Sequence, residues 1–415
     1  MNILFLSLLG FDSIEERSIY TDLLREFSKR GHRVYVISPV EKRMGTDTHI
    51  IEEENATILR LRIGNTQKTG IIEKGISTVM IEPTFKNAIE KYFANVKFDL
   101  VLYSTPPITL VSAIEYVKKR DGARTYLLLK DIFPQNAVDM GMLSTSGIKG
   151  LLHGHFRRQE RKLYEISDRI GCMSQANLEY LLAHNEEVRD RDNRDRKLGG
   201  KGIVEVCPNS VEVIDKSVDG ETWQRIREKY GIPTDKTVFI YGGNLGKPQG
   251  IPFLIECLRK CRDIENVFFL IIGDGTEYGL LEDYASGLAQ ENLRLMKRLP
   301  KEDYDTLVGA CDVGMIFLDY RFTIPNFPSR LLSYMQARLP ILAVTDPNTD
   351  IGKVITDGEL GWHCESNDAE AVADKIKRIR KEDRRSKGNK AFDYLSEEYS
   401  ASGGYEIITR SLEKL

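Results

Sequence analysis

The sequence has no excess of charge of either sign. Its 415 residues contain 59 Lys and Arg against 62 Asp and Glu, which gives a formal net charge of -3 at pH 7. Proteins that bind nucleic acid nonspecifically carry a basic field that neutralises phosphates, and this chain has no such field. Nucleic acid is therefore not an expected partner.

Cysteine and histidine are equally scarce, with six of each. The histidines His153 and His155 have no partner at metal-ligand spacing, and the cysteines form neither a disulfide framework nor a zinc motif. Most of the cysteines lie in apolar or strand-like segments, where cysteine acts as a small hydrophobic residue. The six cysteines are Cys172, Cys207, Cys257, Cys261, Cys311 and Cys364.

Long apolar runs are missing as well. No run approaches the ~20 residues that a spanning helix needs. The apolar segment 1–6 lacks a preceding basic region and leads into polar residues, so it predicts a buried strand and not a signal peptide. We expect a cytoplasmic protein. Residues 148–162 combine apolar and basic side chains, which leaves peripheral contact with the inner face of the membrane open. An ordinary amphipathic helix packed on a sheet is the favoured alternative.

Short apolar runs alternate with amphipathic stretches along the whole chain. This alternation is typical of βαβ units with a parallel sheet that is buried on both faces. The pattern restarts after residues 207–220, and a chain of this length exceeds the size of one hydrophobic core. We therefore predict two doubly wound α/β domains, residues 1–206 and 207–385, followed by a C-terminal helix in residues 386–415. The charged segment 185–201 is predicted to be a solvated loop.

A glycine-rich segment, residues 241–250, joins a predicted strand to a predicted helix. Glycines let backbone N–H groups approach an anion closely, so this segment could hold a diphosphate. A tight structural turn is the alternative. A second glycine turn, residues 273–275, follows the next strand. Ser329 is then a predicted N-cap, and Arg330 lies in the first turn, where the helix dipole alone would favour an anion. A phosphate bound beside Arg330 would explain the cation.

These segments resemble, in their order and spacing, the retaining GT4 glycosyltransferases of the GT-B fold. The bacterial subgroup that builds O-antigen and capsular polysaccharide is the most similar. The matching residues of the second half are Gly243, Asn244, Gln249, Gly250, Gly273–Gly275, Leu299, Pro300, Cys311–Val313 and Pro328–Met335. Those of the first half are Gly31–Val34 and Asp131–Pro134.

The resemblance implies two Rossmann-like domains that face each other across a cleft, the first for the acceptor and the second for the donor. It also implies that the C-terminal helix crosses back to the first domain and that no metal or cofactor is needed. On the acceptor side we expect Gly10 and Phe133. The residues expected to bind the donor nucleotide and its diphosphate are Gly243, Asn244, Lys247, Gln249, Gly275, Ser329, Arg330 and Ser333.

Two positions depart from the family pattern. Its paired glutamates, with seven residues between them, would fall on Pro325 and Ser333, and neither residue is acidic. Ser333 keeps a hydrogen-bonding group, which should bind more weakly than a carboxylate does. Asp131 follows a predicted strand and is the candidate catalytic carboxylate. A helix N-cap is the alternative for Asp131, because Pro134 suits a first helical turn.

The predicted activity is transfer of a sugar from a nucleotide sugar, expected to be UDP-linked, to a glycan or to a polyprenyl-diphosphate-linked acceptor. Two alternatives stay open. One is an epimerase of the same fold that acts on the nucleotide sugar. The other is a non-catalytic partner that binds the nucleotide sugar without turnover, which the missing glutamates would favour.

Overall fold

The computed structural model describes residues 1–65, 71–287 and 292–413. Its strands are β1 (Asn2–Leu6), β2 (Arg33–Glu41), β3 (His49–Glu52), β4 (Ala56–Ile63), β5 (Leu100–Ser104), β6 (Arg124–Leu129), β7 (Arg169–Cys172), β8 (Val204–Val206), β9 (Thr237–Asn244), β10 (Val267–Asp274), β11 (Leu293–Met296), β12 (Val313–Phe317), β13 (Ile341–Thr345) and β14 (Gly361–Glu365).

Helices follow most of these strands. They are α1 (Thr21–Lys29), α2 (Ile71–Tyr92), α3 (Val111–Asp121), α4 (Gln135–Asp139), α5 (Gly147–Ile166), α6 (Gln175–His184), α7 (Glu186–Lys197), α8 (Gly220–Tyr230), α9 (Ile251–Lys260), α10 (Tyr278–Ser286), α11 (Lys301–Gly309), α12 (Arg330–Gln336), α13 (Ile351–Asp357), α14 (Ala369–Ile379), α15 (Arg384–Glu398) and α16 (Ala401–Leu412). Short 3-10 turns cover Lys42–Met44 and Lys247–Gln249.

The chain divides into two compact units. Unit 1 comprises residues 1–212 and 401–415, and unit 2 comprises residues 213–400. The division after Glu212 lies inside the 207–220 segment where we placed the join. Each unit has its own sheet and its own buried core, and the two Rossmann-like α/β units confirm the predicted fold class.

The described strands of unit 1 form one sheet in the order β3-β4-β2-β1-β5-β6-β7-β8. Every pairing is parallel except that between β3 and β4. The order reverses direction between β1 and β5, because β2 and β4 lie on one side of β1 and the later strands on the other. Ligands of open α/β sheets bind at the carboxyl ends of the strands beside such a switch point.

Unit 2 repeats this plan in a smaller, wholly parallel sheet. Its order, β11-β10-β9-β12-β13-β14, places the switch point between β9 and β12. Strands β12 and β13 are buried along their whole length, as their continuous apolar sequences predict. The glycine-rich segment therefore leaves β9 at the position where this kind of sheet binds ligands.

The predicted charged loop at residues 185–201 is wrong, because most of that segment is helix α7. Glu186 and Glu187 occupy its first turn, and Arg194, Arg196 and Lys197 occupy its last turn, so the charges complement the helix dipole. An ion pair between Arg196 and Asp192, at 2.7 Å, adds support one turn apart. The mixed charges that suggested a loop are those of an exposed helix.

The predicted C-terminal helix, residues 386–415, is two helices. Helix α15 ends at Glu398, the backbone leaves the helical region at the C-cap residue Tyr399, and α16 begins at Ala401. The N–H of Ala401 donates to the Val211 carbonyl at 2.8 Å and so is not available to continue the preceding helix. Helix α16 belongs to unit 1 and packs against α1. Residues 288–291 and 414–415 lie outside the described residues.

Among the described residues, no helix is both long and apolar enough to cross a membrane.

Candidate functional site

The carboxyl ends of β9 and β10 lie close together because glycines occupy the paired positions there. Gly273 pairs with Gly243, and a Cβ added at Gly273 would lie 2.0 Å from the Gly243 carbonyl oxygen. Gly243 itself has a φ of +122°, which other residues rarely adopt. These glycines therefore leave bare backbone at the switch point, and the glycine-rich segment is more than a connection between two elements.

Arg330 lies directly beside this backbone. A Cβ at Gly243 would be 3.6 Å from the Arg330 Cζ, and the guanidinium stacks over the Tyr241 ring with its Cζ 4.4 Å from the ring centre. The Nη1 atom is buried and has no hydrogen-bond partner among the described residues. A buried cationic donor without an acceptor is costly, so Arg330 is suited to meet an anion at this position.

Tyr334, one turn after Arg330 on α12, anchors that helix to the strands. Its hydroxyl accepts a hydrogen bond from the Gly242 N–H at 3.2 Å and donates to the Met315 carbonyl at 3.1 Å. The ring lies where a Cβ at Gly314 would be, 2.3 Å from the nearest ring atom. Tyr334 thus fixes the position of Arg330 relative to β9 and β12. No signal in the sequence points to this role, because a tyrosine on an apolar helix face predicts only core packing.

Ser329 and Ser333 lie on successive turns of α12, at its N-cap and in its interior. Ser329 occupies the N-cap position of α12, but its side chain makes no capping hydrogen bond, so the predicted capping is wrong. Its backbone is in the right-handed helical region, whereas a capping residue is usually extended. Ser333 is half-buried on the following turn of the same helix. Neither residue brings a charge to the site.

Hydrogen bonds within the glycine-rich segment connect its other residues. Gln249 Oε1 accepts hydrogen bonds from Asn244 Nδ2 at 3.0 Å and from the Gly246 N–H at 3.3 Å. The sequence interpretation made Asn244 and Gln249 ligand-binding residues, and the structure shows that they also bind each other. Lys247 is exposed on the 3-10 turn between them and makes no ion pair with any described residue.

Gly275 brings the loop after β10 against the same segment. A Cβ at Gly275 would lie 2.4 Å from the Leu245 carbonyl oxygen. The Leu245 N–H donates to the Asp274 carbonyl at 2.9 Å, and the Glu277 N–H donates to the Leu245 carbonyl at 2.9 Å. Gly275 therefore serves close packing between two loops. Of the predicted donor residues, Gly243, Asn244, Gly275 and Arg330 lie at one edge of unit 2.

A pocket of about 460 Å³ opens beside these residues. It contains residues that the sequence interpretation did not assign to the donor site, among them Arg298, Lys301 and Tyr304. The Tyr304 hydroxyl lies where a Cβ at Gly242 would be, at 1.9 Å. Arg298 and Lys301, the basic residues on both sides of Leu299 and Pro300, were the signal in the sequence that could have indicated this pocket. The pocket is lined by Gly243, Asn244, Ile272, Gly273, Asp274, Arg298, Leu299, Lys301 and Tyr304.

A larger pocket, of about 730 Å³, lies at the opposite edge of the unit 2 sheet. Its residues include Asp312 and Pro340, which precede β12 and β13. Arg338 at its wall is already bound to Asp215 and Asn389, at 2.8 and 3.1 Å. Because ligands of such sheets bind at the carboxyl ends of the strands, we assign the site to the smaller pocket.

In unit 1, Asp131 follows β6 at the carboxyl edge of the sheet. Asn136 Nδ2 donates to its Oδ1 at 2.8 Å, and Thr105 Oγ1 contacts its backbone N–H and carbonyl at 3.2 and 3.0 Å. Burial raises the pKa of Asp131 to about 6, although the hydrogen bonds from Asn136 and from the Ile132 N–H oppose the shift. Helix α4 has Pro134 at its N-cap position, so the alternative that Asp131 is the N-cap is wrong.

Lys130 precedes Asp131 and was missed in the sequence. Its Nζ donates to Asn209 Oδ1 at 2.5 Å and lies 5.3 Å from the centre of the Tyr20 ring. Burial lowers the pKa of Lys130 to about 8. A lysine and an aspartate with pKa values shifted towards neutrality thus stand next to each other in sequence. The sequence predicted the strand end that both residues follow, but it did not predict that they are buried.

The two predicted acceptor-side residues occupy different surroundings. Gly10 is exposed in the loop after β1, and a Cβ there would lie 2.8 Å from the Pro39 carbonyl oxygen. Phe133 packs edge-on against Phe156 of α5, with ring centres 5.0 Å apart, and so contributes to the core of unit 1. Among the described residues, no group of three or more His, Cys, Asp or Glu side chains could hold a metal ion.

Known proteins resemble this chain in sequence. Residues 223–393 match the family model of the glycosyl transferases group 1. The chain is 27% identical over 314 residues to a probable glycosyltransferase, WbjE, of Pseudomonas aeruginosa, across 73% of this chain and 71% of that protein. It is 25% identical over 224 residues to a putative colanic acid biosynthesis glycosyl transferase, WcaI, of Escherichia coli strain K12, across 52% and 49% of the two chains.

Solved structures share the fold over the entire chain. Sucrose-phosphate synthase from Thermosynechococcus elongatus superposes with a TM-score of 0.74 at 15% identity and covers 100% of this chain and 98% of its own. HepE from Anabaena, solved in complex with UDP, superposes with a TM-score of 0.67 at 15% identity and covers 100% of both chains. The fold is therefore GT-B.

Proposed function

We propose that this chain, a glycosyltransferase of the GT-B fold, is a retaining enzyme that transfers a sugar from a UDP-sugar to a glycan or a polyprenyl-diphosphate-linked acceptor. The pathway we propose is the synthesis of a bacterial surface polysaccharide. Its support is the similarity to WbjE and to WcaI, whose name refers to colanic acid. The UDP donor is supported by the fold shared with HepE, which binds UDP.

One observation carries the donor assignment: the buried and unpartnered Nη1 of Arg330 beside Gly243. Arg330, Lys247 and the glycine backbone would neutralise the diphosphate. As the bond between the anomeric carbon and the phosphate oxygen breaks, negative charge grows on the departing UDP. Cations fixed in advance at that place stabilise the transition state more than the ground state. We propose that this charge is neutralised without a metal ion.

On the acceptor side, we propose that Asp131 orients the attacking hydroxyl. With a pKa of about 6, its carboxylate is mostly ionised at neutral pH and can accept a hydrogen bond from that hydroxyl. Asn136 and Thr105 hold it in one orientation. The transferred group, a hexose or an N-acetylhexosamine, is decided by the shape of the sugar pocket and is tested below.

The test is incubation of the purified protein with UDP-glucose, UDP-galactose, UDP-N-acetylglucosamine and, for comparison, GDP-mannose. We expect one UDP-sugar to be hydrolysed slowly, with release of UDP and of the sugar with its anomeric configuration retained, as followed by NMR. Saturable binding without release would instead support the non-catalytic alternative, which the neutral Pro325 and Ser333 favour. A sugar with a changed stereocentre still attached to UDP would support the epimerase.

A further inference from the structure

Glu277 presents a carboxylate that the site described so far does not use. It occupies the N-cap position of α10, yet its side chain makes no capping hydrogen bond. Its Oε2 is buried and has no hydrogen-bond partner among the described residues. A buried carboxylate oxygen without a donor is costly to keep, which indicates that a hydrogen-bond donor other than those residues meets it.

The backbone fixes where this carboxylate lies. The Glu277 N–H donates to the Leu245 carbonyl at 2.9 Å, so Glu277 begins directly beside the glycine-rich segment. The loop after β12 closes the other side, because the Asp319 N–H donates to the Pro248 carbonyl at 3.0 Å. Glu277 therefore stands among the loops that follow β9, β10 and β12, next to the switch point.

The charged groups nearest to Glu277 leave it without a fixed partner. Asp319 is bound by Arg321 through both of its carboxylate oxygens, each at 2.8 Å. Lys247 lies close enough to act on Glu277 electrostatically but forms no ion pair with it. Burial raises the pKa of Glu277 above its usual value, while Lys247 opposes the shift. Of the two carboxylates, Glu277 is the one that still has free acceptor capacity.

We propose that Glu277 binds a vicinal diol of the nucleotide-sugar donor and accepts hydrogen bonds from two neighbouring hydroxyls. This inference rests on the proposed function. An ionised carboxylate has two acceptor oxygens at the spacing of two adjacent hydroxyls, and such charge-assisted bonds are about twice as strong as neutral ones. The diol belongs either to the ribose or to the sugar. Neither Ser333 nor Pro325 supplies a carboxylate at this edge.

The experiment compares Glu277→Gln with Glu282→Gln by isothermal titration with UDP, UDP-glucose and UDP-N-acetylglucosamine. Glu282 is exposed one turn further along α10, which makes it a matched control. We expect Glu277→Gln to raise the Kd for at least one UDP-sugar about tenfold and Glu282→Gln to leave it unchanged. The melting temperature of Glu277→Gln should stay the same or rise, because a neutral amide is less costly to desolvate than a carboxylate whose Oε2 is buried without a partner among the described residues.

The outcomes separate the possible sources of the diol. Equal weakening of UDP and the UDP-sugar assigns the ribose, and weakening of the UDP-sugar alone assigns the sugar. Unchanged affinity for all three ligands would overturn the role of Glu277 and leave the proposed function standing. So would a loss confined to Asp274→Asn, since Asp274 is the other carboxylate at this pocket. If wild-type protein binds none of the three, the UDP-sugar assignment itself fails.

Discussion

The carboxyl edges of the two sheets share a topology but differ in their chemistry. In unit 2 the edge consists of glycine backbone, with charged groups that no described residue satisfies, namely Arg330 Nη1 and Glu277 Oε2. In unit 1 the corresponding edge carries Asp131 and Lys130, which are held by Asn136 and Asn209 and have pKa values shifted towards neutrality. Under the proposed function, the edge of unit 2 receives charge from a ligand and the edge of unit 1 positions an ionisable pair.

This difference follows from how the two edges are built. Glycines at the end of β9 let backbone and cations approach a large anion, which requires open donors. In unit 1, side chains at the end of β6 lie at the carboxyl edge of the sheet, where hydrogen bonds fix their orientation. A repeated topology thus supplies the location of a site in each unit, and the residue types supply its function. Each prediction below alters one edge and asks whether the other keeps its role.

The largest effect is expected from Asp131→Asn. Asparagine keeps an acceptor for Asn136 but cannot act as an ionised base or strong acceptor, so kcat should fall about 100-fold. The Kd for the donor nucleotide should change less than twofold, because the donor edge is intact. Steady-state kinetics and titration calorimetry measure the two quantities. Glu54→Gln, an exposed carboxylate in the turn between β3 and β4, is the control. An unchanged kcat would remove Asp131 from the reaction.

Arg330→Ala should change the affinity for the donor nucleotide. Loss of a charge-assisted contact to the diphosphate is expected to raise the Kd for UDP about 30-fold. The melting temperature should fall only modestly, because Arg330 loses its stacking on Tyr241 but has no hydrogen bond through Nη1 to any described residue to lose. Arg378→Ala, an exposed arginine on α14, controls for the change in net charge. Equal UDP affinity in wild type and Arg330→Ala would contradict the proposed diphosphate site.

A smaller effect is expected from Gln249→Ala, which removes the acceptor shared by Asn244 and Gly246. The glycine-rich segment should lose about 1 kcal/mol of stability, and the Kd for UDP should rise about fivefold. Gln224→Ala on α8 removes an exposed hydrogen bond to Glu228 and serves as the control. If both variants bind UDP like the wild type, Gln249 has no part in shaping the site.

The smallest effect concerns the stability of unit 1 as pH changes. The pKa of Asp131 in the folded protein, about 6, lies above its usual value of 3.8, so the folded state binds this proton more tightly than the unfolded state does. The stability that Asp131 contributes is complete below pH ~4 and is lost as pH rises through about 6. Asp131→Asn should therefore melt about 1–3 °C above the wild type at pH 7, with the difference vanishing near pH 4.

Thermal melts at intervals of half a pH unit between pH 4 and 7.5 measure this difference. Glu54→Gln should follow the wild type throughout. A constant offset between Asp131→Asn and the wild type across the whole range would mean that the carboxylate is not buried as the structure indicates, and the distinction between the two edges would weaken.

The sequence predicted the alternation of strands and helices well, and the reason is local. Continuous apolar runs such as β5 and β13 favour buried parallel strands, and glycines at the ends of β9 and β10 mark strand ends. The charged segment that forms α7 was misjudged, because its composition suggested a solvated loop and its helical charge order was overlooked. The join near residues 207–220 was visible, but the break in the last helix at Tyr399 depends on packing.

The donor site was predictable in part. Gly243, Gly275 and Arg330 were found because close backbone approach and an isolated cation leave local signals. Tyr334, Tyr304 and Glu277 were not found, since each is ordinary in its own segment and reaches the site only through strand order. Lys130 was missed for a related reason: a lysine at a strand end is normally exposed, whereas in the fold Lys130 contacts Tyr20 and Asn209.

The sequence by itself determined two parallel α/β sheets, their approximate boundaries and the glycine-bearing strand end, because these depend on periodicity and on residues close together in the chain. Only the tertiary structure decided which charged atoms are left without partners. That outcome depends on strand order, which places β9 beside β12 and brings α12 and the loop after β10 to one edge. Burial then sets the cost of every unsatisfied group there, and burial is a property of the folded chain.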